Sequence, residues 1–259
     1  MKIIGVIQAR MDSRRLPQKV MAEICGKPMI WHVWNRLKHC RNLDQVVCAI
    51  PASKSNDGLA ASLVGLGIEC YRGPEQDLIN RIYGCALAYL TDAVVRITAD
   101  CPFVDPGLVD DMAWWWDSVY GARKHPVAYL SNVRPRTFPR GLDVEIYSAP
   151  LLAELSVRID DPVYREWFPI WLWEHEEEYK TQNMTHAYNT PDYNWTVDYP
   201  QDLDFARLIY GELWKPEDSR VFSADDMFVW LNEHKPELLD ECMRLPREVD
   251  WPWSVESGS

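Results

Sequence analysis

Four cations fall within ten residues near the start of the chain. They are Arg10, Arg14, Arg15 and Lys19, in the run Gln8-Ala9-Arg10-Met11-Asp12-Ser13-Arg14-Arg15-Leu16-Pro17-Gln18-Lys19. The whole protein has 27 Lys and Arg against 39 Asp and Glu, a net charge of −12. Positive charge gathered at one loop of an acidic protein suits a polyanion, most simply a nucleoside triphosphate. The plain alternative is a solvated basic loop. The chain has no Gly-x-x-x-x-Gly-Lys-Ser/Thr pattern, and no Gly-x-Gly-x-x-Gly follows an apolar run. Phosphates held here would therefore rely on side chains more than on backbone amides. Pro17 fixes its own φ and pushes Leu16 toward an extended conformation, which limits the entropy lost when the loop closes on a ligand.

A carboxylate follows a second apolar run, in Thr98-Ala99-Asp100-Cys101-Pro102. An Asp at the carboxyl end of a strand, facing a triphosphate loop, can hold Mg²⁺ through one oxygen while phosphate oxygens take other positions. The alternative is a turn-forming Asp ahead of Pro102. A third polar block, Ser131-Asn132 through Pro135-Arg136-Thr137-Phe138-Pro139-Arg140-Gly141-Leu142-Asp143-Val144-Glu145, is dense in charge for a strand-loop-strand.

Positioning these groups falls to an alternation of apolar strand-length runs and helical periods. Strands are predicted at 3–8, 46–50, 69–72 and 93–98, and helices at about 28–40 from Pro28, 57–66 and 77–90. This alternation predicts an α/β fold, a mostly parallel central sheet between two layers of helices. Ligands of such sheets sit outside the carboxyl ends of the strands, so the loops at 8–19, 51–57 and 98–102 should converge. The second half predicts strands at 129–132, 142–147 and 194–198, and helices at 149–157, 161–176 and 200–213. A further helix is predicted at 223–244 with Ser223 as N-cap, followed by a Trp/Pro/Ser tail.

Composition narrows the function. No uncharged apolar stretch is long enough to span a membrane, and residues 1–30 do not read as a signal peptide. The seven scattered Cys, without a Cys-x-x-Cys pair, predict reduced thiols and a cytoplasmic location. An acidic surface disfavours nucleic acid as a partner. The thirteen Trp include Trp114-Trp115-Trp116, Trp167, Trp171, Trp173, Trp251 and Trp253. They read either as core and subunit contacts or as the lining of a sugar site, and a homodimer through the Trp-rich second half is expected.

Residues 3–20 resemble the opening of the cytidylyltransferases that make CMP-activated sugars, and more narrowly the spore-coat polysaccharide biosynthesis protein F branch. Gln8, Ala9, Arg10, Ser13, Arg15, Leu16, Pro17 and Lys19 match that loop, while Gln18 stands in place of Gly. Arg96-Ile97-Thr98 followed by Asp100-Cys101-Pro102 and Asp105-Pro106 matches a second motif, with Ala99 for Gly. Trp195-Thr196-Val197-Asp198-Tyr199-Pro200-Gln201-Asp202-Leu203 resembles a third.

The resemblance implies a three-layer αβα fold of the nucleotide-diphospho-sugar transferase type. Residues 1–215 would form the nucleotidyltransferase domain, with an acceptor-binding insert near 128–190, and 216–259 a helical appendage and tail. It implies Mg²⁺ on Asp100 and Asp198, with Arg10, Lys19 and these two aspartates catalytic. Gln8, Ala9, Arg10, Ser13, Arg14, Arg15, Lys19 and Arg81 would bind the nucleotide. The Gln76–Arg81 segment echoes the family, yet Arg81 also reads as a helix-surface residue paired with Asp77. Arg96, Asn132, Arg136, Asp143, Glu145 and Arg165 are expected to bind the acceptor. Trp167 takes the place of a family His after Arg165-Glu166. Asp105 and Asp202 are expected to serve helix N-termini. The implied reaction joins CMP from CTP to a sugar or sugar-acid acceptor and releases pyrophosphate. The alternatives are a glycosyltransferase using a nucleotide-sugar and a catalytically silent nucleotide- or sugar-binding subunit.

Overall fold

A computed structural model describes residues 1–121, 127–187, 190–218 and 220–239. Cys242, Trp251, Trp253 and the last turn of the helix predicted to reach 244 lie outside the described residues.

Four apolar runs form the parallel half of one sheet: β1 (Ile3–Gln8), β4 (Gln45–Pro51), β5 (Glu69–Gly73) and β6 (Ala93–Thr98). The sheet has seven strands in the order β5-β4-β1-β6-β8-β7-β9, where β7 is Tyr129–Ser131, β8 Glu145–Ser148 and β9 Thr181–Asn183. β8 runs antiparallel to both β6 and β7, and β7 and β9 are parallel. The direction of strand addition reverses at β1, with β4 on one side and β6 on the other. In such open sheets a ligand sits at that crevice, outside the carboxyl ends of the strands. Because β8 is reversed, its start at Glu145 lies opposite Arg96, near the same sheet end as Gln8 and Thr98.

Helices α1 (Met29–Leu37), α2 (Asp57–Gly65) and α4 (Pro106–Gly121) share one core with one sheet face. Helices α3 (Leu78–Ala88), α5 (Ala149–Arg158) and α7 (Phe168–Glu174) cover the other. A third core joins Phe103, Phe138 and Trp195 to α8 (Pro200–Leu213) and α9 (Ala224–His234). Ser223 caps α9 by accepting from the Asp226 amide. Asp105 accepts from the amides of Gly107 and Leu108 through one oxygen and from Ala224 through the other, so it caps α4 and anchors α9. Trp116 and Trp195 are buried in these cores, while Trp114 is 63 % exposed.

Several elements differ from expectation. Pro28 is the N-cap of α1, not its first residue, because Lys27–Pro28 (β3) pairs with Glu23–Ile24 (β2) in a small hairpin. The helix predicted at 161–176 is two pieces, α6 (Pro162–Glu166) and α7, broken at Trp167 with φ −115° and ψ 41°. Pro169 has no amide to donate to the Arg165 carbonyl four residues back, and its ring would clash with that carbonyl in a continuous helix. No strand forms at 194–198. Those amides serve different neighbours, Trp195 donating to the Arg140 carbonyl and Val197 to the Asp100 carbonyl.

His32 of α1 is buried, its Nε2 2.7 Å from the Ile24 carbonyl and its ring edge-on to Tyr210 and Trp214. Burial pushes it down to about 4, against the pull of that hydrogen bond. The folded chain therefore keeps His32 neutral while the unfolded chain protonates it below about pH 6.5. Stability should fall as pH drops from about 6.5 to about 4, by about 3 kcal/mol from this residue. Urea unfolding at intervals across that range should show the slope in the wild type and a flatter one in His32→Gln.

Candidate active site

The cationic loop leaves β1 at Gln8 and is braced from the neighbouring β4–α2 connection. Asn56, fully buried, accepts from the Met11 amide at 2.9 Å, while its own amide group donates to Ser53 at 3.0 Å. Ser13 Oγ accepts from the Leu16 amide at 3.4 Å, and the turn tightens into a 3₁₀ segment at Lys19–Met21. Gln18, at φ 56° and ψ 26°, holds the left-handed conformation before that segment. That is the conformation a glycine adopts without penalty, so the Gly-to-Gln departure leaves the turn intact at a cost of roughly 1 kcal/mol. Gln18→Gly should raise stability by about 0.5–1 kcal/mol in urea titrations, since it removes that strain.

The turn delivers Lys19 to two carboxylates. Its Nζ donates to Asp100 Oδ2 and Asp198 Oδ1, both at 2.8 Å. Arg15 Nη2 also donates to Asp198 Oδ1, at 3.0 Å, and its guanidinium lies 5.3 Å over the Tyr199 ring. Thr98 Oγ1 donates to Asp100 Oδ1 at 2.6 Å and so fixes the carboxylate's rotation. Burial alone would raise Asp100, but the Lys19 ammonium and the Thr98 hydroxyl outweigh it and hold the carboxyl below its usual range. Burial likewise works against the Lys19 charge, and Asp100 and Asp198 more than restore it. The pair thus stabilises the fold above the ordinary Asp range, losing its effect as pH falls through the lowered Asp100 value. On the alkaline side the effect is lost as pH rises through the raised Lys19 value.

Asp198 is positioned from two directions. Asp202 accepts from the amides of Asp198 and Tyr199, each at 2.9 Å, in the capping box of α8. The Val197 amide is tied to the Asp100 carbonyl at 2.9 Å, which couples the two aspartate segments. Behind them Gly141, at φ 96°, lets the 139–142 turn lie against Trp195. A Cβ there would sit 2.7 Å from the Trp195 carbonyl carbon, so any side chain would push the Asp198 segment outward.

A second polar row crosses the sheet beside this cluster. Arg96 Nε donates to Gln8 Oε1 at 2.8 Å and Nη1 to Glu145 Oε2. Glu145 Oε1 accepts from Tyr129 at 2.6 Å and Tyr147 at 2.8 Å. Burial and the Glu145 carboxylate push both phenols well above the usual range, so they remain donors. Arg136 grips Asp143 with both Nη atoms, the second at 2.9 Å.

The remaining expected residues take supporting positions. Ala9 is buried and its amide donates to the Ala49 carbonyl. Arg14 is exposed. Arg10 pairs with Glu166 at 3.4 Å, and 58 % of its side chain is open to solvent. Asn132 is fully buried, donating to the Leu142 carbonyl and accepting from the Val144 amide, and so locks the acceptor-block turn to β7. Arg165 reaches Asp77 at 3.0 Å and the carbonyls of Ser156 and Ile159. That corrects the surface alternative for Arg81, which is 1 % exposed and donates to the carbonyls of Pro74 and Glu75. Its buried Nε has no partner, and burial lowers its pKa despite the nearby Glu166 and Asp77 carboxylates. Asn56, Thr98, Tyr129, Tyr147 and Tyr199 are contributors that motif reading passed over. Their signal was only that polar residues stood at strand ends and in the loop after β4.

Chemically, two hard carboxylate oxygens converge on the Lys19 ammonium, and the Arg15 guanidinium also reaches Asp198. Mg²⁺ favours such a donor set, taking one or two carboxylates and completing its shell from water and phosphate. Among the described residues no group of three or more His, Cys, Asp or Glu could hold a metal, so the substrate would have to supply ligands. No helix among the described residues is long and apolar enough to cross a membrane.

Comparison with known proteins bears on this geometry. Residues 4–118 match the family described as Cytidylyltransferase. The chain is 26 % identical over 239 residues to the spore coat polysaccharide biosynthesis protein SpsF of Bacillus subtilis, covering 90 % of this chain and 95 % of that one. It is 33 % identical over 111 residues to a 3-deoxy-manno-octulosonate cytidylyltransferase of Oleidesulfovibrio alaskensis, a match to 42 % of this chain and 44 % of the relative. Among solved structures, a cytidylyltransferase from Leptospira borgpetersenii superposes with a TM-score of 0.83 at 27 % identity, over 92 % of this chain and 97 % of that one. A strand-end site built on three separate motifs thus coincides with a match of residues 4–118 to the cytidylyltransferase family and with a likeness to members of it, in sequence and fold, over about nine-tenths of the chain.

Proposed function

We propose that the protein transfers CMP from CTP to a sugar or sugar-acid acceptor, releasing pyrophosphate, in the synthesis of a surface polysaccharide. The observation that carries this reading is the convergence of Asp100 and Asp198 on one cation, Lys19, at the end of the loop that also carries Arg10, Arg14 and Arg15.

In this reading Arg10, Arg15 and Lys19 hold the β- and γ-phosphates, and Gln8, Ala9, Ser13 and Arg14 shape the loop around them. Arg81, which donates to the Pro74 and Glu75 carbonyls, joins the nucleotide-binding set from α3. Asp100 and Asp198 would hold Mg²⁺, which neutralises charge on the α-phosphate and the leaving pyrophosphate. The acceptor oxygen attacks the α-phosphorus in line and the bond to pyrophosphate breaks. The protein's part is chiefly to orient the two substrates and to offset developing charge with groups already in place. Thr98 and Asp202 set the direction of the two carboxylates. The acceptor lies toward Arg136, Asp143, Arg96 and Glu145, with Asn132 and Arg165 stiffening the segments that present them. Within the domain of residues 1–215, the stretch 128–190 is thus the acceptor-binding insert, and 216–259 the appendage.

Pyrophosphate release from CTP and Mg²⁺ in the presence of a panel of 3-deoxy sugar acids and neutral sugars tests the reading. Release that depends on both CTP and one acceptor class is expected. Release with UTP, ATP or GTP at equal rate, or consumption of a nucleotide-sugar instead of CTP, would contradict it.

A further inference from the structure

The two carboxylates assigned to the metal are already neutralised. Asp100 and Asp198 carry two negative charges, and Lys19 and Arg15 bring two positive ones within 3.0 Å of their oxygens. The Lys19 ammonium is half of that balance, and it touches both carboxylates, at 2.8 Å each. Its side chain is 13 % exposed, so solvent screens it little. A divalent cation would need the same oxygens at about 2.0–2.1 Å and could not share them with an ammonium on the same side.

We propose that Lys19 is a placeholder for the divalent cation. In the nucleotide-free enzyme its ammonium holds Asp100 and Asp198 together, and it releases them only when a triphosphate draws it away, so metal and nucleotide enter together. This rests on the reading of Asp100 and Asp198 as metal ligands. The lysine stem is suited to the exchange: four flexible carbons carry a compact charge that can turn from carboxylate to phosphate without moving the backbone. Arg15 can make the same exchange, since it holds Asp198 at 3.0 Å from a side chain that is 35 % exposed. The triphosphate thereby does two things at once, supplying phosphate ligands to the ion and freeing the carboxylates. Metal and nucleotide affinities are then positively coupled, each raising the other by the same factor.

The test is Mn²⁺ binding to the full-length protein, followed by calorimetry and by the electron spin resonance signal of the free ion, with no nucleotide and no acceptor. Lys19→Gln should bind Mn²⁺ at least about tenfold tighter than the wild type, the scale of a typical site coupling. A second substitution, Asp198→Asn, added to Lys19→Gln should abolish the gain. Arg15→Gln, at a more exposed position, should shift affinity the same way by less, and keeps the test in force should Lys19→Gln fail to fold. Binding no tighter than wild type in both variants would overturn the placeholder role, even where the wild type binds Mn²⁺ in the presence of CTP. A wild type that binds no Mn²⁺ with CTP present would instead remove the metal assignment beneath it.

Discussion

Asp100→Asn should lower CMP transfer by on the order of 10³-fold while leaving the protein folded. The side chain keeps its size and can still accept from Thr98, which now donates at 2.6 Å. Lys19 retains Asp198 as a partner at 2.8 Å, so removing one carboxylate strands no cation. What is lost is charge at the point where a metal and the α-phosphate would meet. The loss should fall on both kcat and CTP affinity, with circular dichroism little changed and the urea midpoint lowered only by the share the Lys19–Asp100 contact contributes. Asp198→Asn should behave alike in rate, with some added mobility, because Arg15 also leans on that carboxylate. Near-normal turnover in either variant would sink the assignment.

Glu145→Ala should cost about 3–5 kcal/mol of stability, because it leaves a charge buried without its partner. Glu145 is 6 % exposed and is the hub of the transverse row. One oxygen takes the Arg96 guanidinium and the other takes two buried phenols. Truncation orphans all three donors beneath Phe168, whose ring lies 5.7 Å from the Arg96 guanidinium. At this size the melting temperature should drop by roughly 10 °C. Arg96 also holds Gln8, the last residue of β1, so the cationic loop should loosen with it. Glu145→Gln keeps one acceptor for the phenols and should lose clearly less. Equal melting temperatures for Glu145→Ala and the wild type would show that the row contributes no net stability.

Much of the fold was legible in the chain because its strands are buried on both faces. Ile3–Gln8, Gln45–Pro51 and Ala93–Thr98 are apolar runs too short for helices, and each ends where the polar loops begin. The convergence of those loops followed from parallel pairing alone. What remained hidden was structure defined by distant partners. The two-residue strands at Glu23–Ile24 and Lys27–Pro28 exist only through each other. β9 is three polar residues, two partly buried and one exposed, that become a strand by lying beside β7. Trp195 to Val197 has the composition of a strand, yet its amides are taken by Arg140 and Asp100 on separate loops. In the site, charges were readable from motifs, while their partners were not. Asp100 and Lys19 lie 81 positions apart in the chain. Lys19 was expected on phosphate, and its grip on both aspartates could come only from the folded geometry. Arg81 read equally as surface or site, and its burial settles only the first, since helical spacing to Asp77 could not disclose that Arg165 claims that carboxylate.

The most direct measurement is titration calorimetry of the full-length protein with CTP, UTP, ATP and GTP, each with Mg²⁺, in the wild type and in Asp100→Asn. Selective binding of CTP, weakened in the variant, is the result expected of a cytidylyltransferase whose metal sits on Asp100. Indifference to all four triphosphates, or equal binding of CTP by the wild type and the variant, would contradict it.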